Sequence, residues 1–246
     1  VGGGVVMGVL YNSRIVTDDL ILCLDAGDKM SYPGAGTTWT DLTKNNHNGT
    51  LVNNASFNSD NGGGIVLDGT NDYVEITDFE TINSSDSSFS CALKIDDITN
   101  DRDIITKGSH AENQPILCWF DKSVGAGQQA GNTNTISCLV AVVGTQLWIS
   151  APSNSVSADE IFTLDITIDA SIGKISMYMN GEFLVSYTNS NYNGLKNTSD
   201  NFRLGADINA NLDLPGKFYF FRIYNKCLSA SEVQQNYNAT KARFGL

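Results

Sequence analysis

From residue 20 to residue 224 the chain alternates short β-rich segments with turn chemistry, and that punctuation confines it to a fold of many short strands. Strands are predicted at 20–25 (LILCLD), 64–68 (GIVLD), 73–77 (YVEIT), 88–95 (SFSCALKI), 103–107 (DIITK), 115–120 (PILCWF) and 135–143 (TISCLVAVV). Further strands are predicted at 145–150 (TQLWIS), 161–169 (IFTLDITID), 174–179 (KISMYM), 182–187 (EFLVSY), 202–205 (FRLG) and 216–224 (GKFYFFRIY). No segment repeats another, which excludes a propeller or a solenoid and leaves two packed antiparallel sheets. Asn, Ser, Thr, Gly and Asp dominate the residues between strands, while the strong helix formers are sparse, so the class is all-β. The Gly/Gln/Asn stretch 123–134 reads as a loop between strands, and no linker divides the 246 residues.

Two local signals are sharper. Asn180-Gly181 separates KISMYM from EFLVSY, and Asn-Gly supplies the two positive-φ residues of a type I′ hairpin turn. Regular pairing across it sets Met177 opposite Leu184 and Tyr178 opposite Phe183. Ile175, Met177 and Leu184 then share one face, and Tyr178, Phe183, Val185 and Tyr187 the other. Both faces are apolar, so the hairpin is predicted in the middle of a sheet; alternatively the aromatic face lines an open groove. One helix is predicted, over 228–241. Ser229 and Glu232 form a capping box, Leu228 staples to Val233, and Val233 and Tyr237 give an apolar stripe that covers a sheet edge.

Catalytic patterns are missing. His47 and His110 stand far apart in polar sequence without a nucleophile context. Glycoside hydrolysis needs two carboxylates about 5 Å or about 6.5–9.5 Å apart. None of the glutamates falls in a period-two acidic array, and Asp165 and Asp169 merely share one face of a strand. Phosphate-binding glycine loops and EF-hand loops are absent. The turn Asp68-Gly-Thr-Asn-Asp72 gathers Asp68, Asn71 and Asp72, hard oxygen donors suited to calcium. The same residues in the same order also describe a turn whose side chains bond their own backbone, with Gly69 at positive φ and no metal. Calcium is therefore the one cofactor under consideration. Trp119, Trp148, Tyr178 and Tyr187 are candidate platforms for stacking a sugar, and the apolar strands around Trp119 and Trp148 argue for their burial. Trp148, Tyr178 and Tyr187 are the candidate ligand-binding residues.

A formal net charge of −12 without a Lys/Arg cluster opposes nucleic-acid and anionic-lipid partners. No apolar run reaches the roughly 20 residues that span a bilayer. The five cysteines show no C-x-x-C spacing, which argues against zinc, and four lie in apolar runs. They are expected to be buried, reduced thiols of a protein folded in cytosol. Residues 1–10 form a glycine-rich arm, expected to be flexible, without the features of a signal peptide, and able to add a strand to a neighbour's sheet edge.

The strings LILCLDAGDKMSYPGAGTTWTDLTKNNHNGTL and GGGIVLDGTNDYVEI resemble the opening of laminin-G-like, concanavalin A-like jelly-roll domains. ISMYMNGEFLVSY, FRLGAD and GKFYFFRIYNKCLSASEVQQNYNATKARFG resemble their closing half, so the likeness covers residues 11–246. It implies an all-β, two-sheet antiparallel jelly-roll sandwich with one short C-terminal helix, in which Tyr32, Trp39, Asp68, Gly69 and Tyr73 serve as scaffold. LCLDAGD, SYPG-x-GTTW and the terminal YNATKARFG are similar to proteins of tailed bacteriophages, where such domains are part of the virion. That resemblance implies a non-enzymatic capsid-decoration or tail-fibre adhesion protein, made in the host cytoplasm. Its partners would be other virion proteins, further copies of itself and host-surface glycans. A soluble carbohydrate-binding lectin and a polysaccharide-cleaving hydrolase are the competing readings.

Overall fold

A computed structural model of the chain describes residues 14–77, 86–108, 115–123, 131–142, 145–191, 195, 198–207 and 212–246. The arm at 1–10, His110 and the centre of the 123–134 loop lie outside them. Among the described residues sixteen strands run in order: β1 Leu20–Asp25, β2 Thr38–Trp39, β3 Gly49–Val52, β4 Ser56–Asn58, β5 Gly64–Asp68, β6 Tyr73–Ile76, β7 Ser87–Ile95 and β8 Arg102–Lys107. They continue as β9 Ile116–Asp121, β10 Thr135–Val142, β11 Thr145–Ser150, β12 Ile161–Asp169, β13 Lys174–Met179, β14 Glu182–Thr188, β15 Phe202–Leu204 and β16 Pro215–Tyr224. Among the described residues one α-helix, α1 Ala230–Phe244, follows. Every predicted strand is present; β2, β3 and β4, each of four residues or fewer, are too short to alternate visibly in sequence.

All pairings are antiparallel, and the strands form two sheets. Sheet A runs β14-β13-β12-β7-β16-β5-β4, with β1 on the C-terminal half of β16 beside β5. Sheet B runs β11-β10-β9-β8-β15-β6-β3-β2. Period-two alternation sends one side of each strand into the shared layer. Phe89, Cys91, Leu93, Leu164, Ile166, Phe221 and Ile223 enter from sheet A, and Val74, Ile105, Cys118, Phe120, Cys138, Ile149 and Phe202 from sheet B.

The hairpin β13–β14 differs from its prediction in two ways. A bulge between Met177 and Tyr178 pairs Met177 with Val185, so Val185 and Tyr187 turn inward with Ile175, while Tyr178 still faces Phe183. The hairpin is also the edge of sheet A, not its middle. Its turn has Asn180 at φ 51° and Gly181 at φ 77°. Asn180 is tied to β12, its amide donating to the Thr163 carbonyl and its side-chain oxygen accepting from the Thr163 amide.

The helix keeps its predicted cap: the Ser229 hydroxyl accepts from the Glu232 amide and the Glu232 carboxylate from the Ser229 amide. It covers a face instead of an edge. Val233 packs with Leu228, Tyr178, Tyr224 and Val16, and Phe244 with Tyr219, Phe220 and Ala92, all on the outer side of sheet A. The buried positions are Val233, Asn236, Thr240 and Phe244, so the stripe facing the sheet is half polar and Tyr237 lies beside it. Asn236 uses that polarity, donating to the Tyr224 hydroxyl at 3.1 Å and accepting from the Val16 amide at 2.8 Å. At the C-terminal end Arg243 donates to Asp25 Oδ1 and to the Asn61 and Gly63 carbonyls, locking helix to sheet.

Beneath the helix a polar row crosses sheet A. Cross-strand pairing aligns Tyr178, Asp165, Ser90, Arg222 and Cys23. Asp165 is buried there, and its Oδ1 has no hydrogen-bond partner. Burial pushes its carboxyl up to about 7, outweighing the Ser90 hydroxyl and the Arg222 charge, both of which act to lower it. A folded-state value above the ordinary 3.8 means that only the unfolded chain ionises as pH rises from about 4 to about 7. Stability at this position is therefore full in acid, falls through that window, and is lower above it by up to roughly 4 kcal/mol. Asp165→Asn should remove this slope and be the more stable protein at pH 8, read as the difference between wild-type and variant urea midpoints from pH 4 to pH 8.

Candidate functional site

With α1 over sheet A, the outer face of sheet B is the sheet surface that no helix of the described residues covers. Its composition follows from the strand phase. In β9, Ile116, Cys118 and Phe120 point into the core, so Leu117, Trp119 and Asp121 point out. In β10 the outward set is Thr135, Ser137 and Leu139, and in β11 it is Gln146, Trp148 and Ser150.

Cross-strand register then assembles two features. Trp119 aligns with Ser137 and Ser150, and Trp148 with Leu139 and Leu117. The two indoles pack T-shaped with centroids 5.8 Å apart, and both are partly exposed. Trp148 Nε1 donates to Gln146 Oε1 at 3.2 Å, holding one ring in place. Beside them the Ser137 hydroxyl bonds Asp121 Oδ2 at 3.1 Å and the Ser150 hydroxyl at 2.7 Å. This is a partly exposed aromatic pair held beside a polar ladder whose own members, Ser137, Ser150 and Asp121, are buried.

The second feature lies on the same face, on β6 and β15. Tyr73 and Glu75 point outward because Val74 and Ile76 are core, and Arg203 points outward between Phe202 and Leu204. The Arg203 guanidinium stands 4.4 Å from the Tyr73 ring centroid, pairs with Glu75 Oε1 at 3.2 Å and donates to the Asp207 carbonyl. A polar cleft of about 250 Å³ opens beside this group, lined by Glu75, Ser199, Asp200, Asn201 and Arg203. From β15 to β9 is two strand spacings, about 10 Å.

The candidate residues read from sequence end up in different places. Trp148 and Trp119 are both on this outer face and partly exposed, although the apolar strands around them suggested the core for both. Tyr178 is 8% exposed beneath α1, with its ring against Phe183. Tyr187 is half-buried and packs against the core cluster. No single surface gathers the three. Tyr73, Glu75 and Arg203 were not foreseen as a group, since Glu75 and Arg203 are 128 residues apart.

Asp68, Asn71 and Asp72 do form one turn, with Gly69 at φ 80° against Pro215 and Asn71 at φ 59°. Their carboxylates face backbone amides. Asp68 Oδ1 accepts from the Thr70 amide, and Asp72 Oδ1 from the Asn54 amide at 2.8 Å. Asp72 Oδ2 accepts from the Asp68 amide, and the Asn71 amide donates to Asp213 Oδ2 at 2.7 Å. Among the described residues no three His, Cys, Asp or Glu side chains converge as metal ligands. Asp165 and Asp169, the acids weighed for hydrolysis, are separated by environment. The first is buried beneath α1, and the second accepts from the Ser171 amide and hydroxyl at the strand end.

Residues 68–234 match the family described as the concanavalin A-like lectin/glucanases superfamily, and the chain belongs to that superfamily. Among curated proteins none matches it by sequence. Of solved structures, the botulinum neurotoxin serotype D ligand-binding domain in complex with N-acetylneuraminic acid superposes with a TM-score of 0.68 at 18% identity, over 89% of this chain and 50% of that one. The binding domain of Paraclostridial Mosquitocidal Protein 1 superposes at 0.67 with 18% identity, over 90% and 52%. This chain thus spans about half the length of the toxin domains it resembles. Domain 4 of AbnA, a GH43 extracellular arabinanase from Geobacillus stearothermophilus, in complex with arabinotriose, superposes at 0.65 with 17% identity, over 89% of this chain and 98% of that domain. At these identities the likeness is one of fold. No helix among the described residues is long and apolar enough to cross a membrane.

The turn chemistry at 68–72 is complete with backbone donors alone. Neither calcium nor EDTA should move the thermal melt, whereas Asp72→Ala, which strands two amides, should cost about 2 kcal/mol. A calcium-dependent rise in the wild-type melting temperature would instead assign these oxygens to a metal.

Proposed function

We propose that this chain is a non-catalytic glycan-binding module whose binding surface is the outer face of sheet B. The observation that carries the proposal is the Trp119–Trp148 pair, partly exposed and fixed beside a polar ladder on the sheet face that α1 leaves open. Sugar rings present apolar C–H faces and hydroxyl edges; the partly exposed indoles suit the first and the exposed Gln146 amide beside Trp148 the second, while the buried Ser137, Ser150 and Asp121 hold the strands that carry the rings. Two of the fold relatives were solved with sugars bound, N-acetylneuraminic acid in one and arabinotriose in the other, which favours the same class of ligand here. The net charge of −12 opposes polyanionic glycans and favours neutral ones. Binding without turnover is supported by the acids on this face, where Glu75 is paired with Arg203, Asp121 accepts from Ser137, and Asp103, aligned with Trp119, is fully buried.

The narrower reading places the module on a bacteriophage particle, as a capsid decoration or a tail-fibre adhesin that contacts host-surface glycans in many copies. Its support is the resemblance of LCLDAGD, SYPG-x-GTTW and YNATKARFG to phage proteins, together with the avidity that repeated weak sites gain on a particle. Mass spectrometry of purified particles of the source phage tests it, and absence of the chain from them defeats it.

A glycan array with and without EDTA, followed by titration of Trp fluorescence with the best neutral oligosaccharide, tests the broader reading. Trp148→Ala and Trp119→Ala should each weaken binding about tenfold, the equivalent of about 1.4 kcal/mol of lost stacking. Binding to no glycan, unchanged affinity in both variants, or cleavage of the bound sugar would overturn it.

A further inference from the structure

We propose that Cys118 and Cys138 are an oxidisable pair that closes into a cross-strand disulfide inside the core of sheet B. The proposal stands apart from the glycan reading. The two residues are direct partners in the antiparallel β9–β10 ladder, and both point into the shared layer with no exposed surface. Directly opposed residues of an antiparallel pair have Cα atoms about 4.5 or about 5.5 Å apart, both inside the range that a disulfide bridges. Their Sγ atoms lie 2.8 Å apart, nearer than two unbonded sulfurs rest, so bond formation needs only a small further approach.

The remaining thiols are placed differently. Cys23 is on the outer side of sheet A, Cys227 follows β16, and Cys91 faces the pair from sheet A across the core. Cys91 is therefore the competing partner, but it belongs to the other sheet and can meet Cys118 only once the sandwich has closed. The β9–β10 hairpin is local in sequence, which lets its own pair meet first.

The chemistry is two-step thiol–disulfide exchange with a small-molecule disulfide as oxidant. One cysteine thiolate attacks the reagent, releasing one small thiol and leaving a mixed disulfide. The second thiolate then displaces the other small thiol and forms Cys118–S–S–Cys138. Two protein thiols lose two electrons, and one reagent disulfide becomes two thiols. Burial pushes the Cys118 thiol far up and keeps the folded pair inert, so exchange takes place while the hairpin is still open to solvent.

The full chain, reduced and unfolded, should be refolded either with glutathione disulfide or with a reductant, then unfolded again and alkylated without further reduction. Intact mass should show all five thiols labelled after reductive refolding and three after oxidative refolding. Unreduced proteolysis should give one linked product joining the peptides of Cys118 and Cys138. The oxidised protein should also melt at a higher temperature than the reduced one, as expected for a closed loop. Five labels in both arms, or a link through Cys91, Cys23 or Cys227, would overturn the proposal. Because the wild-type chain supplies this readout, it does not depend on the folding of any cysteine variant.

Discussion

The layer shared by the two sheets takes the inward residue of every long strand, Phe89, Cys91 and Leu93 from one side and Cys118, Phe120 and Ile149 from the other, and the remaining structure is arranged around that requirement. Strand side chains alternate, so fixing the inward set also fixes the outward one. A sandwich built this way has two outer faces whose residues are decided by the phase of each strand. Here the two faces are treated differently. Sheet A presents Tyr178, Tyr224, Phe220 and Ala92 outward, too much apolar surface for solvent, and α1 with the segment at Val16 covers it. Sheet B carries its outward aromatic residues without a covering helix.

Covering sheet A has an electrostatic cost at Asp165 and Arg222, both buried in the polar row beneath the helix. Arg222 lies 3.8 Å from the Phe220 ring centroid and 3.9 Å from Asp25 Oδ2, while Asp25 is held at its other oxygen by Arg243. The helix is thus joined to the sheet at both ends by apolar contacts and along its middle by Asn236, while the buried Thr240 hydroxyl donates back to the Asn236 and Tyr237 carbonyls of its own helix. Two polar residues in its buried stripe make sense once the surface beneath them is seen to contain Ser, Thr and Tyr hydroxyls. An amphipathic helix resting on an ordinary apolar sheet would have no use for Asn236.

Much of this was legible in the sequence. Alternation and turn residues located all of the longer strands, and Ser229 with Glu232 located the helix, because these signals are local. Every described non-glycine residue at positive φ is Asn or Asp, including Asn46, Asn53, Asn71, Asn154 and Asn180. Part of the Asn-rich composition is therefore a backbone requirement of the turns. What escaped depended on partners. The bulge at Met177–Tyr178 adds a residue to one strand without any mark in the sequence, and it reversed the facing of Val185 and Tyr187. The outward phase of Trp119 did leave a trace, since Asp121 shares its side of β9 and the partners Ser137 and Ser150 are polar. Reading the LCWF run as uniformly apolar concealed it. The pairing of Arg203 with Glu75 and Tyr73 needs β15 to settle beside β6, which no local pattern encodes.

The outer face of sheet B and the core beneath it are joined by single peptide bonds. Cys118 and Trp119 are consecutive, as are Ser137 and Cys138, so Trp119 and Ser137 are each backed by a thiol pointing the other way. A displacement of the inward side chains tilts the strand that carries the outward ones, because a strand transmits rotation from one face to the other while its ladder hydrogen bonds hold. The spacing between Trp119 and its neighbour Trp148 on β11 is set through β10, the strand that Cys138 occupies. Packing of the interior and shape of the exposed platform are thus one geometric problem, solved by the same three strands.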